Sequence, residues 1–152
     1  MYIDEIPPKN FNSSIQVAAC YLEVDSHLLL LECNAAKKEA GRWGVPGGKL
    51  EGAERPQDAA KRELFEETKI QVSLSVLKSI GLLYFRKPDL DYVYHLFALT
   101  LATRPEVQLS DEHPHYLWAK RRELDSLPLM AGSTTALRKY QAWKEAAKKD
   151  TG

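Results

Sequence analysis

Three glutamates lie close together near the middle of the chain: Glu63, Glu66 and Glu67. On a helix, positions i, i+3 and i+4 share one face, so these carboxylates occupy an arc of roughly 100°. Glu63 and Glu67 form a like-charge i, i+4 pair, which destabilises an isolated helix by about 0.2–0.5 kcal/mol. A hard divalent cation such as Mg²⁺ relieves this repulsion, because it prefers carboxylate and carbonyl oxygens. The alternative is a solvated acidic helix face, with Arg62 paired to Glu66.

Further residues stand at fixed distances from this cluster. Gly48, Glu54 and Arg62 precede it, and the stretch from Gly48 to Ile70 reads GKLEGAERPQDAAKRELFEETKI. This stretch, called the box segment below, resembles the Nudix box, G-x5-E-x7-R-E-U-x-E-E-x-G-U, in which U is a bulky apolar residue. Eight of the nine defined positions match, and the one departure is Lys69 in place of the second glycine.

The resemblance implies a hydrolase that cleaves a nucleoside diphosphate linked to another group, by attack of water on phosphorus, with Mg²⁺ or Mn²⁺ as cofactor. It implies that Glu63, Glu66 and Glu67 bind the metal, together with the backbone carbonyl of Gly48 or of its neighbour Gly47. The residue types agree with this, because an acidic cluster meets a polyphosphate only through bridging cations. Three carboxylates on one helical face do not suit glycoside hydrolysis, which needs an opposed pair.

Other charged residues are expected to complete the site. Arg62 is implied to brace the preceding loop and to orient the carboxylates, with Glu54 as its partner. The general base is left open between Glu63 and Glu112, and a solvated loop acid is the alternative for Glu112. The predicted catalytic residues are therefore Glu63, Glu66, Glu67, Arg62 and Glu112.

Three residues are predicted to contact substrate: Arg42, Lys49 and Tyr84. Lys49 follows the glycine pair and can reach a phosphate oxygen, although a solvated lysine fits its position equally well. Tyr84, like Trp43, can stack on a base, and core placement is the default for both aromatic side chains.

Lys69, His113 and His115 carry groups that bind phosphate or metal elsewhere, but the sequence assigns them no catalytic role. Lys69 follows the glutamate face, so we interpret it as a tolerated helix cap, with a phosphate contact as the alternative. Only a proline separates His113 from His115, and no further Cys or His is close in sequence. We therefore interpret both as ordinary loop histidines.

The pattern of apolar residues predicts strands, one central helix, more strands and a terminal helix, in an α/β (α+β) domain with a mixed sheet. The central helix is expected over Pro56–Thr68 and the C-terminal helix over 133–148. Residues 1–12 are expected to form an extended lead-in and residues 34–42 a surface loop. The whole chain, 1–152, is expected to be a single domain, and the resemblance implies an α/β/α sandwich.

The composition of the chain limits the classes of binding partner that we expect. Lys+Arg and Asp+Glu both number 21, so the net charge is zero and gives no bulk attraction to nucleic acid or membrane. The N-terminus lacks the features of a secretory signal, and no apolar run is long enough to span a bilayer. Cys20 and Cys33 are expected to be buried, reduced thiols in the cytoplasm. A monomer or homodimer acting on a small nucleotide is expected.

The sequence does not single out the substrate. The signatures of coenzyme A, NADH and ADP-ribose pyrophosphatases are not matched, and the chain most resembles the mutator-type nucleoside triphosphate pyrophosphohydrolases. We therefore expect a nucleoside triphosphate to be cleaved to monophosphate and pyrophosphate. The alternatives are hydrolysis of a conjugate such as ADP-ribose or a nucleotide sugar, and a non-catalytic Nudix-like nucleotide-binding module. An isomerase of isoprenoid diphosphates would need a catalytic cysteine, which neither Cys20 nor Cys33 supplies by motif.

Overall fold

The structure is a computed structural model that describes residues 1–34 and 38–151, so residues 35–37 of the expected loop lie outside the described part. The strands are β1 (Tyr2–Asp4), β2 (Gln16–Val24), β3 (His27–Glu32), β4 (Trp43–Gly44), β5 (Gly47–Lys49), β6 (Lys78–Lys87), β7 (Leu90–Thr100) and β8 (Tyr116–Lys120). The helices are α1 (Pro56–Thr68), α2 (Arg121–Leu124) and α3 (Ser133–Thr151), and a 3₁₀ turn covers Leu74–Val76.

Eight strands within the described ranges form one mixed sheet. Their order is β1-β6-β7-β2-β3-β4, with β5 paired to β2 and β8 paired to β3. Strands β2 and β7 run parallel, from Gln16 opposite Val93 to Glu23 opposite Thr100. The remaining pairs are antiparallel. The mixed sheet expected from the sequence is confirmed.

Side chains of the central strand β2 alternate between two hydrophobic cores. Ala19 and Tyr21 belong to the core on the side of α3, whereas Ala18, Cys20 and Leu22 belong to the core on the side of α1. This period of two is what a strand covered on both faces requires. The first core includes Ala136, Leu137 and Tyr140 of α3, and the second includes Ala59, Ala60 and Leu64 of α1. The α/β/α sandwich is confirmed.

Helix α1 begins and ends where the sequence predicts. Pro56 occupies the first turn, where its missing N–H leaves no hydrogen bond unmade, and Arg55 precedes it without a side-chain cap. At the other end Lys69 has φ 63°, and its N–H donates to the carbonyl of Phe65 at 2.8 Å. The lysine therefore adopts the left-handed conformation that a glycine adopts in the box motif.

Two expected terminal segments differ from the structure. The lead-in contains β1, in which Tyr2 pairs with Arg86 and Asp4 with Tyr84 of β6. This strand depends on backbone hydrogen bonds to a distant edge strand, which a local sequence pattern does not reveal. Helix α3 runs from Ser133 to Thr151, three residues beyond the expected end. Neither α3 nor any other helix in the described ranges is long and apolar enough to cross a membrane.

Candidate active site

Strand β5 brings the glycine pair Gly47-Gly48 against helix α1. A Cβ atom on Gly48 would lie 2.4 Å from Cδ of Glu63, and one on Gly47 would lie 2.7 Å from the carbonyl oxygen of Ala18. Both glycines lie in a strand paired to β2, and neither has a positive φ. The glycines are therefore needed because other groups approach their backbone closely.

Arg62 connects the box segment to its own loop. Its Nε and Nη2 donate to the two carboxylate oxygens of Glu54 at 2.8 and 2.9 Å, and Nη2 also donates to the carbonyl of Lys49 at 3.0 Å. Its Nη1 donates to Glu63 at 2.9 Å and to Glu66 at 3.1 Å. Hydrogen bonds to Glu54 raise the pKa of Arg62, and Arg62 in turn lowers the pKa of Glu54. The pairing of Arg62 with Glu54 forms as expected.

Glu67 is the most deeply placed carboxylate of the box segment, with 4% of its surface exposed. Its Oε1 accepts a hydrogen bond from the backbone N–H of Gly47 at 2.8 Å, and its Oε2 contacts Nε2 of His113. The N–H of Ser110 donates to its backbone carbonyl at 3.1 Å. Glu67 therefore joins three parts of the chain: strand β5, helix α1 and the loop that precedes β8.

The electrostatics of the site favour a bound cation. Burial raises the pKa of Glu67, although its hydrogen bond to His113 acts in the opposite direction. Burial is also the main cause of the raised pKa of Glu63, to which the charge of Glu67 adds. Arg62 and His113 offset part of the repulsion between these two carboxylates, and a bound cation would offset more of it. The donor set of carboxylate and carbonyl oxygens fits a hard divalent ion.

The loop before β8 contributes His113, which the sequence analysis interpreted as an ordinary loop histidine. Its Nδ1 lies 2.8 Å from the carbonyl oxygen of Glu32, and its Nε2 contacts Glu67. Burial lowers the pKa of His113, but its hydrogen bonds to Glu67 and to the Glu32 carbonyl outweigh this and raise it overall. His115 is different, because it lies at the surface with Nδ1 3.0 Å from Oε2 of Glu32.

One group of three potential ligand side chains stands out in the described part of the chain. Ligand atoms of Glu67, Glu112 and His113 all lie within 4.8 Å of one another. Glu63 and Glu66 lie outside this group and are hydrogen-bonded to Arg62 instead. The structure thus places the expected loop acid, Glu112, beside Glu67, and it adds a histidine that the sequence analysis did not include.

A cavity of about 350 Å³ opens next to these residues. It is lined by Gly47, Gly48, Glu67 and His113 from the site, and by Lys49 and Lys87. Apolar and aromatic side chains complete the lining, among them Ile15, Val17, Phe85, Leu90, Tyr92, Tyr94 and Met130. The rings of Phe85 and Tyr92 stack with centroids 4.7 Å apart. The cavity therefore combines charged groups with an aromatic wall.

Two predicted substrate contacts, Arg42 and Tyr84, do not line this cavity. Arg42 is exposed and donates to the carbonyl of Leu129 at 3.1 Å. Tyr84 packs edge-on against Phe11 at 5.1 Å, because successive side chains of β6 alternate and its neighbour Phe85 takes the inward position. Their expected contact with substrate has no support in the structure. Lys49, the third, does line the cavity.

Comparisons with known proteins show which family and which proteins this chain resembles. The family described as "NUDIX domain" matches residues 14–140. CTP pyrophosphohydrolase of Escherichia coli (strain K12) is 26% identical over 136 residues, which cover 90% of this chain and 98% of that protein. Nucleoside triphosphatase NudI of E. coli is 28% identical over 107 residues, 64% of this chain and 75% of that protein. The solved MutT protein from Methanosarcina mazei Go1 has a TM-score of 0.73 at 22% identity, covering 88% of this chain and 95% of its own.

Proposed function

The chain belongs to the Nudix hydrolase family, and we propose that it hydrolyses nucleoside triphosphates to a nucleoside monophosphate and pyrophosphate. The observation that carries the proposal is the lining of one cavity. Gly48 and Glu67 of the box segment line the same space as Phe85 and Tyr92. A nucleotide has phosphates that need a charged, metal-binding surface and a base that needs an apolar or aromatic one, so it matches this cavity.

The size and charge of the cavity agree with such a ligand. Its volume of about 350 Å³ lies at the lower end of the roughly 300–1,000 Å³ of small-molecule sites. Lys49 and Lys87 both line it, and Nζ of Lys87 lies 5.7 Å from the centroid of the Tyr92 ring. Each lysine offers a positive charge that attracts a polyphosphate, whose own charge otherwise opposes entry beside Glu67.

The residues that would hold a divalent ion are Glu63, Glu66, Glu67 and the carbonyl of Gly48. Mg²⁺, or Mn²⁺ in its place, supplies Lewis-acid chemistry when bound, because it polarises phosphoryl oxygens and neutralises their charge. Arg62 orients Glu63 and Glu66 through its hydrogen bonds, and Gly47 orients Glu67 through its N–H. The chain thereby holds its carboxylates in place before substrate arrives.

Two carboxylates are candidates to accept the proton of the attacking water. Glu63 has a pKa raised chiefly by burial, which brings it closer to the range that suits a general base near neutral pH. Glu112 is exposed and lies beside Glu67 and His113. Because Arg62 already donates to Glu63, we propose Glu112 as the base and Glu63 as a ligand.

The names of the relatives support triphosphates as the substrate class. One relative is a CTP pyrophosphohydrolase and another is a nucleoside triphosphatase. The first aligns over 98% of its own length and 90% of this chain, so the two proteins are similar throughout. Which base is preferred is a matter for the side chains that line the cavity, above all Phe85, Tyr92 and Tyr94.

A substrate panel tests the proposal. Ribo- and deoxyribonucleoside triphosphates, ADP-ribose and a nucleotide sugar are incubated with the protein and Mg²⁺ or Mn²⁺ in ¹⁸O-water, and products are identified by mass. We expect monophosphate plus pyrophosphate, with ¹⁸O in one product. The Glu67→Gln variant, prepared in parallel, controls for contaminating phosphatases. Cleavage of conjugates alone would favour the alternative substrates, and binding of nucleotides without any turnover would favour a non-catalytic module.

We also propose a cytoplasmic location and a monomeric or homodimeric state. Cys20 and Cys33 are both buried thiols, which fits a reducing compartment. The balanced charge, with 21 basic and 21 acidic residues, fits a small nucleotide better than a nucleic acid as the partner. Light scattering of the purified protein measures the oligomeric state directly, and a fixed assembly larger than a dimer would contradict this proposal.

A further inference from the structure

We infer that His113 is a direct metal ligand through its Nε2 atom, which gives this site one imidazole nitrogen beside its carboxylate oxygens. The inference rests on the proposed function only in placing the metal at Glu67. It predicts a measurable consequence, which is a preference for divalent ions that accept nitrogen, such as Ni²⁺ and Zn²⁺, over Mg²⁺.

The first argument is the position of the three ligand atoms. Glu67, Glu112 and His113 each place one such atom within 4.8 Å of the other two. Two neighbouring ligands of one ion, each about 2.1 Å from it at a right angle, are separated by about 3 Å. Small side-chain adjustments therefore suffice to bring Glu67 and His113 to one cation, with Glu112 beside it as the proposed base.

The second argument is the orientation of Glu67. Its Oε1 is held by the N–H of Gly47 at 2.8 Å, and its Oε2 is directed at His113. The carboxylate is buried and anchored on one side, so Oε2 is the oxygen that faces Nε2 and the loop acid. A cation placed between Oε2 and Nε2 occupies the position of the hydrogen that joins them in the metal-free protein.

The third argument concerns the other nitrogen of the ring. Nδ1 of His113 lies 2.8 Å from the carbonyl oxygen of Glu32. A carbonyl oxygen only accepts hydrogen bonds, so Nδ1 carries a hydrogen, and Nε2 is the nitrogen whose lone pair a cation can use once the hydrogen shared with Glu67 has left. Histidines that bind metals nearly always donate their second ring N–H in this way, because the donation fixes the tautomer and the ring orientation. Strand β3 thus prepares His113 for coordination.

A bracing role is the competing explanation, in which His113 only orients Glu67. It accounts equally well for the contact between His113 and Glu67. The two explanations differ in metal selectivity. Imidazole suits Ni²⁺ and Zn²⁺ better than Mg²⁺, which prefers oxygen ligands. A brace affects all these ions alike, whereas a nitrogen ligand favours some of them.

Pulsed electron paramagnetic resonance on the full chain without nucleotide tests the inference. Mn²⁺ is added below one equivalent to wild-type protein grown with ordinary or ¹⁵N-labelled histidine. We expect the hyperfine coupling of a directly bound ¹⁴N, which changes to that of ¹⁵N in the labelled sample. This measurement needs no variant, so a folding defect cannot obscure it. Absence of a histidine nitrogen coupling would overturn the inference.

Matched variants assign the nitrogen and measure selectivity. In His113→Gln the Mn²⁺ coupling should disappear, and the ratio of Mg²⁺ to Zn²⁺ dissociation constants should fall by about tenfold or more. His115→Gln is the control, because His115 stands two residues away, exposed and paired with Glu32. It should change neither quantity. Equal weakening of both ions in His113→Gln would show that His113 is a brace. Nucleotide hydrolysis is scored separately, so failure of the proposed function is distinguishable from failure of this inference.

Discussion

Glu67 is the side chain on which the site depends most. It is buried, it is fixed by the N–H of Gly47, and it contacts His113 across 46 positions of sequence. The spacing of the box segment is sufficient to predict Glu67 as a site residue, together with Glu63, Glu66 and Arg62. It is insufficient to identify His113, because that contact arises only when the loop before β8 folds over the end of α1.

The first prediction concerns the variant Glu67→Gln. The amide keeps the acceptor for Gly47 but loses the charge that a divalent ion needs. We expect kcat/KM to fall by at least about a hundredfold, or about 2.7 kcal/mol of transition-state stabilisation. Steady-state kinetics at saturating Mg²⁺ measure this, and circular dichroism confirms the fold. Unimpaired turnover in this variant would contradict the assignment.

For Tyr84 and Arg42, the residue type suggested a substrate contact that the structure does not support. Both can contact a nucleotide in principle, yet alternation along β6 turns Phe85, and not Tyr84, toward the cavity. A shift of one residue in register reverses the two faces of a strand. The sequence of β6 has apolar residues on both sides of this point, so the pattern alone does not decide between Tyr84 and Phe85.

At the scale of elements, helix α1 was the most predictable part of the chain. Its start follows from Pro56, and its end follows from Lys69, which stands where the box motif has its second glycine. Both residues act on the backbone within one turn of the helix. Strand β1 was not predictable, since its three residues pair with residues of β6 that are 80 to 84 positions away. The reason for the glycines of β5 was not visible in the local sequence either, because the groups that approach them belong to Glu63 and Ala18.

The second prediction tests the end of α1. Lys69 is left-handed, which penalises a non-glycine residue by roughly 1–2 kcal/mol, while its Nζ lies 5.1 Å from the centre of the Phe65 ring. That contact contributes about 0.5–1 kcal/mol at an exposed site. Lys69→Gly removes both effects, so we expect unchanged or slightly raised stability and kcat within a few-fold.

Lys69→Ala is the matched control, because alanine keeps the backbone penalty and loses the ring contact. Urea unfolding should therefore rank Lys69→Ala below both wild type and Lys69→Gly. A hundredfold loss of kcat/KM in Lys69→Gly, with the fold intact, would instead support the alternative in which Lys69 contacts a phosphate.

The third prediction concerns the β6–β7 hairpin and its pH dependence. Arg86 donates to both oxygens of Asp91 at 2.8 and 2.9 Å, and the N–H of Asn12 donates to Asp91 at 3.0 Å. The Arg86 hydrogen bonds are the main cause that lowers the pKa of Asp91 from 3.8 to about 2. A lowered folded-state pKa stabilises the protein above the unfolded-state value, and this stabilisation is lost as pH falls through the folded-state value.

The variant Asp91→Asn should therefore be less stable than wild type at pH 7, and the difference should shrink as pH falls from about 4 toward 2. Thermal unfolding at a series of pH values measures the difference. Asp89→Asn, an exposed position in the same hairpin, is the control and should show no such pH dependence. A difference between Asp91→Asn and wild type that stays constant with pH would contradict the role of the charge.

At the scale of the whole molecule, the central sheet holds the parts of the site together. Strand β2 pairs with β5 on one side and with β7 on the other. The start of the box segment and the aromatic residues Tyr92 and Tyr94 of β7 are therefore fixed to the same strand. The sequence predicted helices, strands and the class of sheet. It did not predict that β2 and β7 pair in parallel, because such a pairing depends on packing between segments far apart in the chain.

The fourth prediction links metal binding to global stability. An ion that binds only the folded state stabilises it by RT ln(1 + [L]/Kd), about 2.7 kcal/mol at a concentration of 100 Kd. Mg²⁺ should therefore raise the Tm of the wild type, and the shift should be much smaller in Glu63→Gln/Glu67→Gln. Differential scanning fluorimetry measures both. An equal shift in the two proteins would show that the ion binds elsewhere.

The most direct test of the central claim is a ³¹P nuclear magnetic resonance time course of the wild-type protein with a nucleoside triphosphate and Mg²⁺. We predict that the three triphosphate resonances are replaced by those of a monophosphate and of pyrophosphate, and that excess chelator stops the change. A spectrum that stays constant for every triphosphate, or one that yields diphosphate and orthophosphate, would contradict the account.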